Sequence, residues 1–382
     1  MTRVEVMKKA IEGRITWQQA ADICRLTPRH MRRLRERFER LGHHGLKDGR
    51  QGKSQPRKVT VEQVEELCRL KREVYPDFST QHFHQFATEK HGIDISYTWT
   101  LLVLQSHGLV TKAPGRGKYR RRRERRPMTG MLLHLDGSRH RWIPRRPMQD
   151  LIVMLDDADG RILFARFYEH EGTASTFDAL AHVLRRHGRF CELYTDRAGQ
   201  FCTTSDATQG PDERQDGQVA RVCRELGIRQ ILARSPQARG RSERAFGTIQ
   251  GRLVPELRLH RITTYDAANR YLERRFIADF NRRFTVKPAE AETAFVPIAG
   301  LDLTLLLSIQ HRRIVRNDNT VSFRRRVLQL PATKHRLHFV RCPVTVHELR
   351  DDTLGVSFQG KLLARYTQDG ELLKPSRKRN VA

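Results

Sequence analysis

Met131-Leu132-Leu133-His134-Leu135-Asp136-Gly137-Ser138, with the apolar runs Leu151–Leu155 and Ile162–Tyr168 that follow it, decides how the chain reads. Short apolar runs bounded by polar residues are strand signals. Asp157-Ala158-Asp159-Gly160, between the second and third runs, has the residues of a tight hairpin turn. From Thr173 the pattern alternates: a helix to His187, a strand over Phe190–Tyr194, a helix over Val219–Leu226, a strand over Ile228–Leu232. A long helix is then expected over Arg239–Leu259, because Phe246, Ile249, Leu253 and Leu257 repeat at helical spacing and form one apolar side. Tyr265–Phe284 reads as one more helix.

Before this region lie three short helical patterns in residues 3–41. Thr16 and Thr27 are N-cap candidates, and Pro28 stands at the first helical position of the third. That third helix keeps Met31, Leu34, Phe38 and Leu41 on one face and Arg29, Arg32, Arg33, Arg35, Arg37 and Arg40 on the other. Helix, short turn and basic helix is the helix-turn-helix pattern, whose second helix enters the major groove of DNA. A second unit of similar design, winged or tandem, runs over 59–110, and a basic linker with Arg120-Arg121-Arg122-Arg123 spans 111–128. After the α/β region (129–300), short strands at regular spacing over 308–370 suggest a small β-barrel, followed by a basic tail, 371–382. The expected fold class is therefore multidomain: an all-α helix-turn-helix front, an α/β core of the ribonuclease-H-like order, and a small C-terminal barrel.

Composition narrows the partners. Lys and Arg number 72 against 43 Asp and Glu, a net charge of +29 in 382 residues. Such an excess repels itself unless a polyanion neutralises it, which points to nucleic acid. No long apolar span accompanies the charge, so a membrane is not the expected partner. Six cysteines without paired spacing and no secretory leader fit a reduced, cytoplasmic setting, and the histidines lack the cysteine partners of a zinc finger.

Three acids then stand out: Asp136, Asp196 in Leu193-Tyr194-Thr195-Asp196-Arg197-Ala198-Gly199-Gln200-Phe201, and Glu243 in Ser235-Pro236-Gln237-Ala238-Arg239-Gly240-Arg241-Ser242-Glu243-Arg244. Cutting a phosphodiester and joining a 3′ hydroxyl elsewhere are both in-line displacements at phosphorus. Two Mg²⁺ ions about 3.5–4 Å apart serve both steps, and Mg²⁺ takes hard oxygen ligands. In that chemistry Asp136 bridges the ions, Asp196 holds one and Glu243 the other, with Mn²⁺ as a substitute. Arg239, Arg241 and Arg244 flank the third acid and are candidate phosphate contacts. Asp156, Asp157 and Asp159 are rival acids that read as turn formers, and Glu192 lies close by in the fourth strand.

Thr195-Asp196-x-x-Gly199-x-Phe201 and Ser235-Pro236-Gln237-Ala238-x-Gly240-x-x-Glu243-Arg244 resemble the second and third catalytic motifs of insertion-sequence transposases related to retroviral integrases, and Leu135-Asp136-Gly137-Ser138 matches the first. The resemblance extends over about residues 1–370. It implies an Asp-Asp-Glu transposase that binds the inverted repeats of an element as a dimer or higher oligomer. Such an enzyme cuts 3′ ends with Mg²⁺ and transfers them to target DNA in the cytoplasm, at the nucleoid. Two departures stand. Asp196 and Glu243 are separated by 46 residues, more than in many relatives, an excess that the polar stretch Thr203–Gly217 can absorb. Arg197 occupies the place where integrases often carry Asn. Two other readings remain open: a DNA-binding regulator derived from such an enzyme, and a structure-specific nuclease.

Overall fold

Thr16 and Thr27 begin their helices as the capping rules require. The computed structural model describes residues 3–46, 59–112, 124–196, 217–233, 240–298, 300–333 and 336–373. It divides into two compact units, Met1–Leu67 and Cys68–Ala382. In the first, α1 (Arg3–Ile11), α2 (Trp17–Cys24) and α3 (Pro28–Leu41) surround a small core of Val6, Met7, Ala10, Ala20, Ala21, Met31 and Leu34. The Thr16 hydroxyl accepts from the Gln19 amide while the Gln19 side chain accepts from Thr16, a reciprocal cap. Arg25 adopts a left-handed conformation (φ 52°), and Thr27 accepts from His30 to start α3. α4 (Val61–Glu73) carries the boundary between the two units.

The second unit opens with α5 (Thr80–His91) and α6 (Tyr97–Ser106), capped by Ser79 and Ser96. Buried Lys71 organises the turn before α5 by donating to the carbonyls of Tyr75, Pro76 and Phe78 at 3.0, 3.1 and 2.6 Å. A buried ammonium is costly unless its donors are satisfied, and here three backbone oxygens do so.

A five-stranded sheet follows: β1 (Leu132–His140), β2 (Gln149–Asp156), β3 (Ile162–Tyr168), β4 (Glu192–Thr195) and β5 (Arg229–Leu232), in the order β3-β2-β1-β4-β5. β1 pairs antiparallel with β2 and parallel with β4, and β4 pairs parallel with β5. Strand alternation sends Leu133, Leu135 and Leu193 to one face, against α7 (Thr173–His187) and α8 (Gln218–Leu226). Leu151, Val153 and Leu155 point to the other face, where α9 (Gly240–Leu259) packs Phe246, Ile249, Leu253 and Leu257. The expected helix over Tyr265–Phe284 is continuous but not uniform. α10 (Tyr265–Tyr271) and α11 (Ile277–Phe284) are joined by a π-helical turn, Leu272–Phe276.

The C-terminal part departs from the expected barrel. α12 (Leu303–Leu306) leads into an open sheet of β6 (Ile309–Ile314), β9 (Pro343–Glu348), β10 (Leu354–Phe358), β11 (Lys361–Tyr366) and β12 (Leu372–Leu373). β7 (Thr320–Phe323) and β8 (Arg326–Gln329) form a separate two-stranded hairpin. Arg324 and Arg325, both with positive φ, form the two-residue turn of that hairpin, whose Val321, Phe323 and Leu328 join the apolar core of this part, and β7 and β8 pair only with each other among the described strands. β6 and β12 therefore remain edge strands among the described residues.

His347 ties this sheet to the helix before it. Its Nδ1 lies 2.7 Å from Ser308 Oγ and its Nε2 2.7 Å from Ser357 Oγ. Ser308 already donates its hydroxyl proton to the Leu305 carbonyl, so Nδ1–H donates to Ser308 and bare Nε2 accepts from Ser357. Burial, aided by the Arg221 charge, lowers His347 from 6.5 to about 4. The neutral ring is thus the folded form. Its contribution is intact above the unfolded value, declines as pH falls through 6.5, and is lost below about 4. The stability difference between wild type and His347→Asn, measured by urea unfolding, is expected to shrink by up to roughly 3 kcal/mol between pH 7 and pH 4.5.

Candidate active site

β1 has two different neighbours, and the difference locates the site. Its parallel register with β4 pairs Leu132 with Glu192, Leu133 with Leu193 and His134 with Tyr194. Two residues beyond the last of these pairs stand Asp136, still within β1, and Asp196, the first residue after β4. Asp136 lies in the middle of β1 rather than at its end, because the antiparallel ladder to β2 continues to His140. It is opposite Val153, and cross-strand partners share a face, so Asp136 lies on the face that α9 covers. Asp196 follows Tyr194 by two residues and falls on the same face. Both aspartates are half-buried.

α9 is fastened over that face. Gln250 Nε2 donates to Ser138 Oγ at 2.9 Å, joining the helix to β1 two residues beyond Asp136. Glu243 lies two turns before Gln250 on the same side of the helix, and it is exposed. Among the described residues, no group of three or more His, Cys, Asp or Glu is close enough to hold a metal ion. The structure thus leaves Asp136 on β1 and Asp196 just after β4, with Glu243 on the helix that covers this face of the sheet. The donors suit Mg²⁺ or Mn²⁺ in kind: carboxylate oxygens, half-open to solvent.

Gly137 meets a tight constraint on the opposite face. A Cβ there would lie 2.1 Å from the Glu171 carboxylate and 3.2 Å from Ile152 Cδ1. No larger residue fits between Asp136 and Ser138 without displacing Glu171.

The rival acids are spent on structure. Asp156 accepts from the amides of Gly130 and Ala158 at 2.8 and 2.9 Å, and Asp159 from Arg161 at 2.8 Å. Asp157 accepts from the Arg126 amide at 2.8 Å and meets His134 Nε2 at 2.8 Å. Burial raises Asp156 to about 6. Glu192 pairs with Arg126 at 2.7 Å and with Arg229. His134, Ser138 and Gln250 were not singled out as site residues by their sequence context. The signal for the first two is their spacing of two from Asp136, which places them on its face.

The candidate DNA-contacting arginines differ in their surroundings. Arg29, Arg32 and Arg33 are exposed on α3 and Arg37 is half-buried. Arg35 pairs with Glu39 at 2.7 Å and stands 5.0 Å from the centre of the Trp17 ring. Arg244 is exposed beside Glu243, donates to the Gly240 carbonyl at 3.1 Å, and lines a cavity of about 180 Å³ with Arg125, His134 and Thr248. Arg239 and the side chain of Arg241 lie outside the described residues, as do Arg197 and the polar stretch after it.

The sheet order β3-β2-β1-β4-β5, with antiparallel β1, β2 and β3 and parallel β1, β4 and β5, covered by helices on both faces, is that of a mixed α/β core. The chain belongs to the transposases. It is 31% identical over 367 residues to a putative transposase, y4bF, of Sinorhizobium fredii, across 95% of this chain and 79% of that protein. It is 24% identical over 371 residues to the transposase for insertion sequence IS1202 of Streptococcus pneumoniae, across 88% and 79%. No family model matches. Solved structures resemble it only distantly. The catalytic core domain of HTLV-2 integrase in complex with magnesium has a TM-score of 0.31 and 16% identity, over 43% of this chain and 93% of that one. A simian T-cell lymphotropic virus intasome in complex with a PP2A regulatory subunit gives 0.34 and 16%, over 78% and 100%. Among the described residues no helix is long and apolar enough to cross a membrane.

Gln250→Ala removes the side-chain bond that, among the described residues, joins Ser138 to the helix that carries Glu243. It is expected to slow DNA cutting by about 10- to 100-fold while moving the urea midpoint by no more than about 1 kcal/mol equivalent. Single-turnover nicking and equilibrium unfolding of the same preparation check both.

Proposed function

We propose that this chain is a DNA transposase that binds the inverted repeats of an insertion sequence, cuts the 3′ ends and joins them to target DNA. The observation that supports this reading is the β1–β4 register, which, continued two residues past His134 and Tyr194, would bring Asp136 to Asp196 on the face covered by the helix of Glu243. Asp136, Asp196 and Glu243 are assigned as the catalytic, metal-holding residues. Their carboxylates would hold Mg²⁺, which would supply the positive charge needed at the attacking and leaving oxygens of each displacement.

The chain's own residues do the remaining work. Ser138 and Gln250 keep α9 on β1, so Glu243 stays over the strands that carry the aspartates. Arg244, with Arg239 and Arg241, neutralises backbone phosphates near the scissile bond. On α3, Arg29, Arg32, Arg33, Arg35 and Arg37 supply the basic face for the repeats, with the helical region 59–110 as a second DNA-binding module. The net charge of +29 suits a long DNA contact. Two ends must be held together for joining, so the working form is a dimer or higher oligomer on DNA, a reading in keeping with the intasome named among the structural neighbours.

Asp196→Asn and Glu243→Gln are each expected to cut the rate of nicking and joining by more than about 100-fold, the ceiling for losing only an outer-shell partner. Binding to end-containing duplex is expected to persist. Labelled inverted-repeat DNA with Mg²⁺ reads both, and wild-type-like activity in either variant would refute the assignment.

A further inference from the structure

A second charged site lies at the other end of α9. α5 rests on α9 and α11 through paired polar contacts. Arg252 donates to Gln85 at 2.7 Å, Arg283 grips both oxygens of Glu89 at 2.7 Å, and Arg258 grips Asp77 at 2.8 and 2.6 Å. Beneath them, buried Glu256 accepts from the Tyr271 hydroxyl at 2.6 Å and lies 3.0 Å from His82 Nε2. A cavity of about 250 Å³ opens beside this junction, lined by Lys90, Arg252, Arg274, Arg275, Arg282 and aromatic rings.

The charge in this cavity is not balanced. Six Lys and Arg side chains face three carboxylates. Glu89 is taken by Arg283, Glu256 by Tyr271 and His82, and Asp279 by Arg282 at 2.9 Å and Arg275 at 3.8 Å. Among the described residues, Lys90 and Arg274 have no carboxylate at ion-pair distance. Arg252 is only 9% exposed, stands 4.8 Å from the centre of the Phe284 ring, and donates to the neutral Gln85 amide, with Glu256 and Glu89, already bonded to other groups, attracting it from nearby. His260 is pushed below its ordinary value by burial first, then by Arg275 and Lys90, as expected in a positive field.

The backbone is also unusual here. The π-helical turn Leu272–Phe276 carries Arg274 and Arg275, and π turns inside helices occur often at functional sites. The cavity lies just below the usual range of about 300–1,000 Å³ for organic ligands, a size suited to a small anion. We infer that this cavity binds a phosphate group, held by Lys90, Arg252 and Arg274.

Two sources carry that chemistry: a phosphate of the DNA backbone, or a free phosphate. Glu256 follows Glu243 by thirteen residues, about 20 Å along the helix axis. A DNA strand reaching both sites would span about six base steps. The inference stands apart from the proposed cutting chemistry, because its test needs neither cleavage nor a divalent metal.

The test compares the full chain with its Lys90→Gln/Arg274→Gln double variant, in buffer without divalent metal. Both residues are exposed and lie outside the apolar clusters, so the variant should fold. If a backbone phosphate fills the cavity, the slope of log affinity against log salt for duplex DNA falls by about 0.9 in the variant. If a free phosphate fills it, inorganic phosphate titrates calorimetrically into the wild type, the signal is lost in the variant, and the DNA slope is unchanged. Equal salt slopes, with no phosphate heat in either protein, would overturn the inference.

Discussion

The parallel pairing of β1 with β4 fixes where two carboxylates can meet. A one-residue slip of the ladder would send every side chain to the other face, so the hydrophobic faces exclude it. Leu133, Leu135 and Leu193 must face α7 and α8. With those positions held, His134 and Tyr194 are forced to the α9 face, and Asp136 and Asp196 follow two residues later. The face toward which Asp136 and Asp196 alternate is therefore set by leucines packed on the other side of the sheet. The second dependence is α9 itself, whose buried stripe holds it on that face while Gln250 ties it to Ser138.

Around this centre, polar groups that could compete for the site are occupied elsewhere. The hairpin aspartates cap their own turn and anchor the entering strand, and Glu192 pairs with arginines. Charge excess is distributed along the molecule rather than confined to the site. It stands on α3, beside Glu243, and in the cavity where α5 meets α9 and α11. That distribution suits a partner that is itself long and uniformly charged.

Much of the core was legible because its elements are strongly patterned. Ile162–Tyr168 and Thr173–His187 were read from sequence with the bounds they have in the structure. Phe246, Ile249, Leu253 and Leu257 gave the buried face of α9. Three features were not legible, each for a physical reason. Whether a run of short strands closes is set by edge pairing, and a tight two-arginine turn keeps β7 and β8 to themselves. A π turn leaves the apolar spacing nearly helical, so Leu272–Phe276 was hidden inside one long helix. The α5–α9 junction joins residues some 170 positions apart, such as Gln85 and Arg252, through polar contacts without a local pattern. For the candidate site, motif context singled out Asp136, Asp196 and Glu243, whereas the Ser138–Gln250 tie joins residues 112 positions apart and left no local pattern to read.

The central claim is that Asp136 and Asp196 form one face of a divalent-metal site. Its most direct test is anomalous diffraction at the manganese edge, from crystals of the full chain on an end-containing duplex grown with Mn²⁺ in place of Mg²⁺. The expected result is anomalous density between the carboxylates of Asp136 and Asp196, with Glu243 turned toward it from α9. Manganese bound elsewhere, with those two carboxylates pointing apart, would contradict the account.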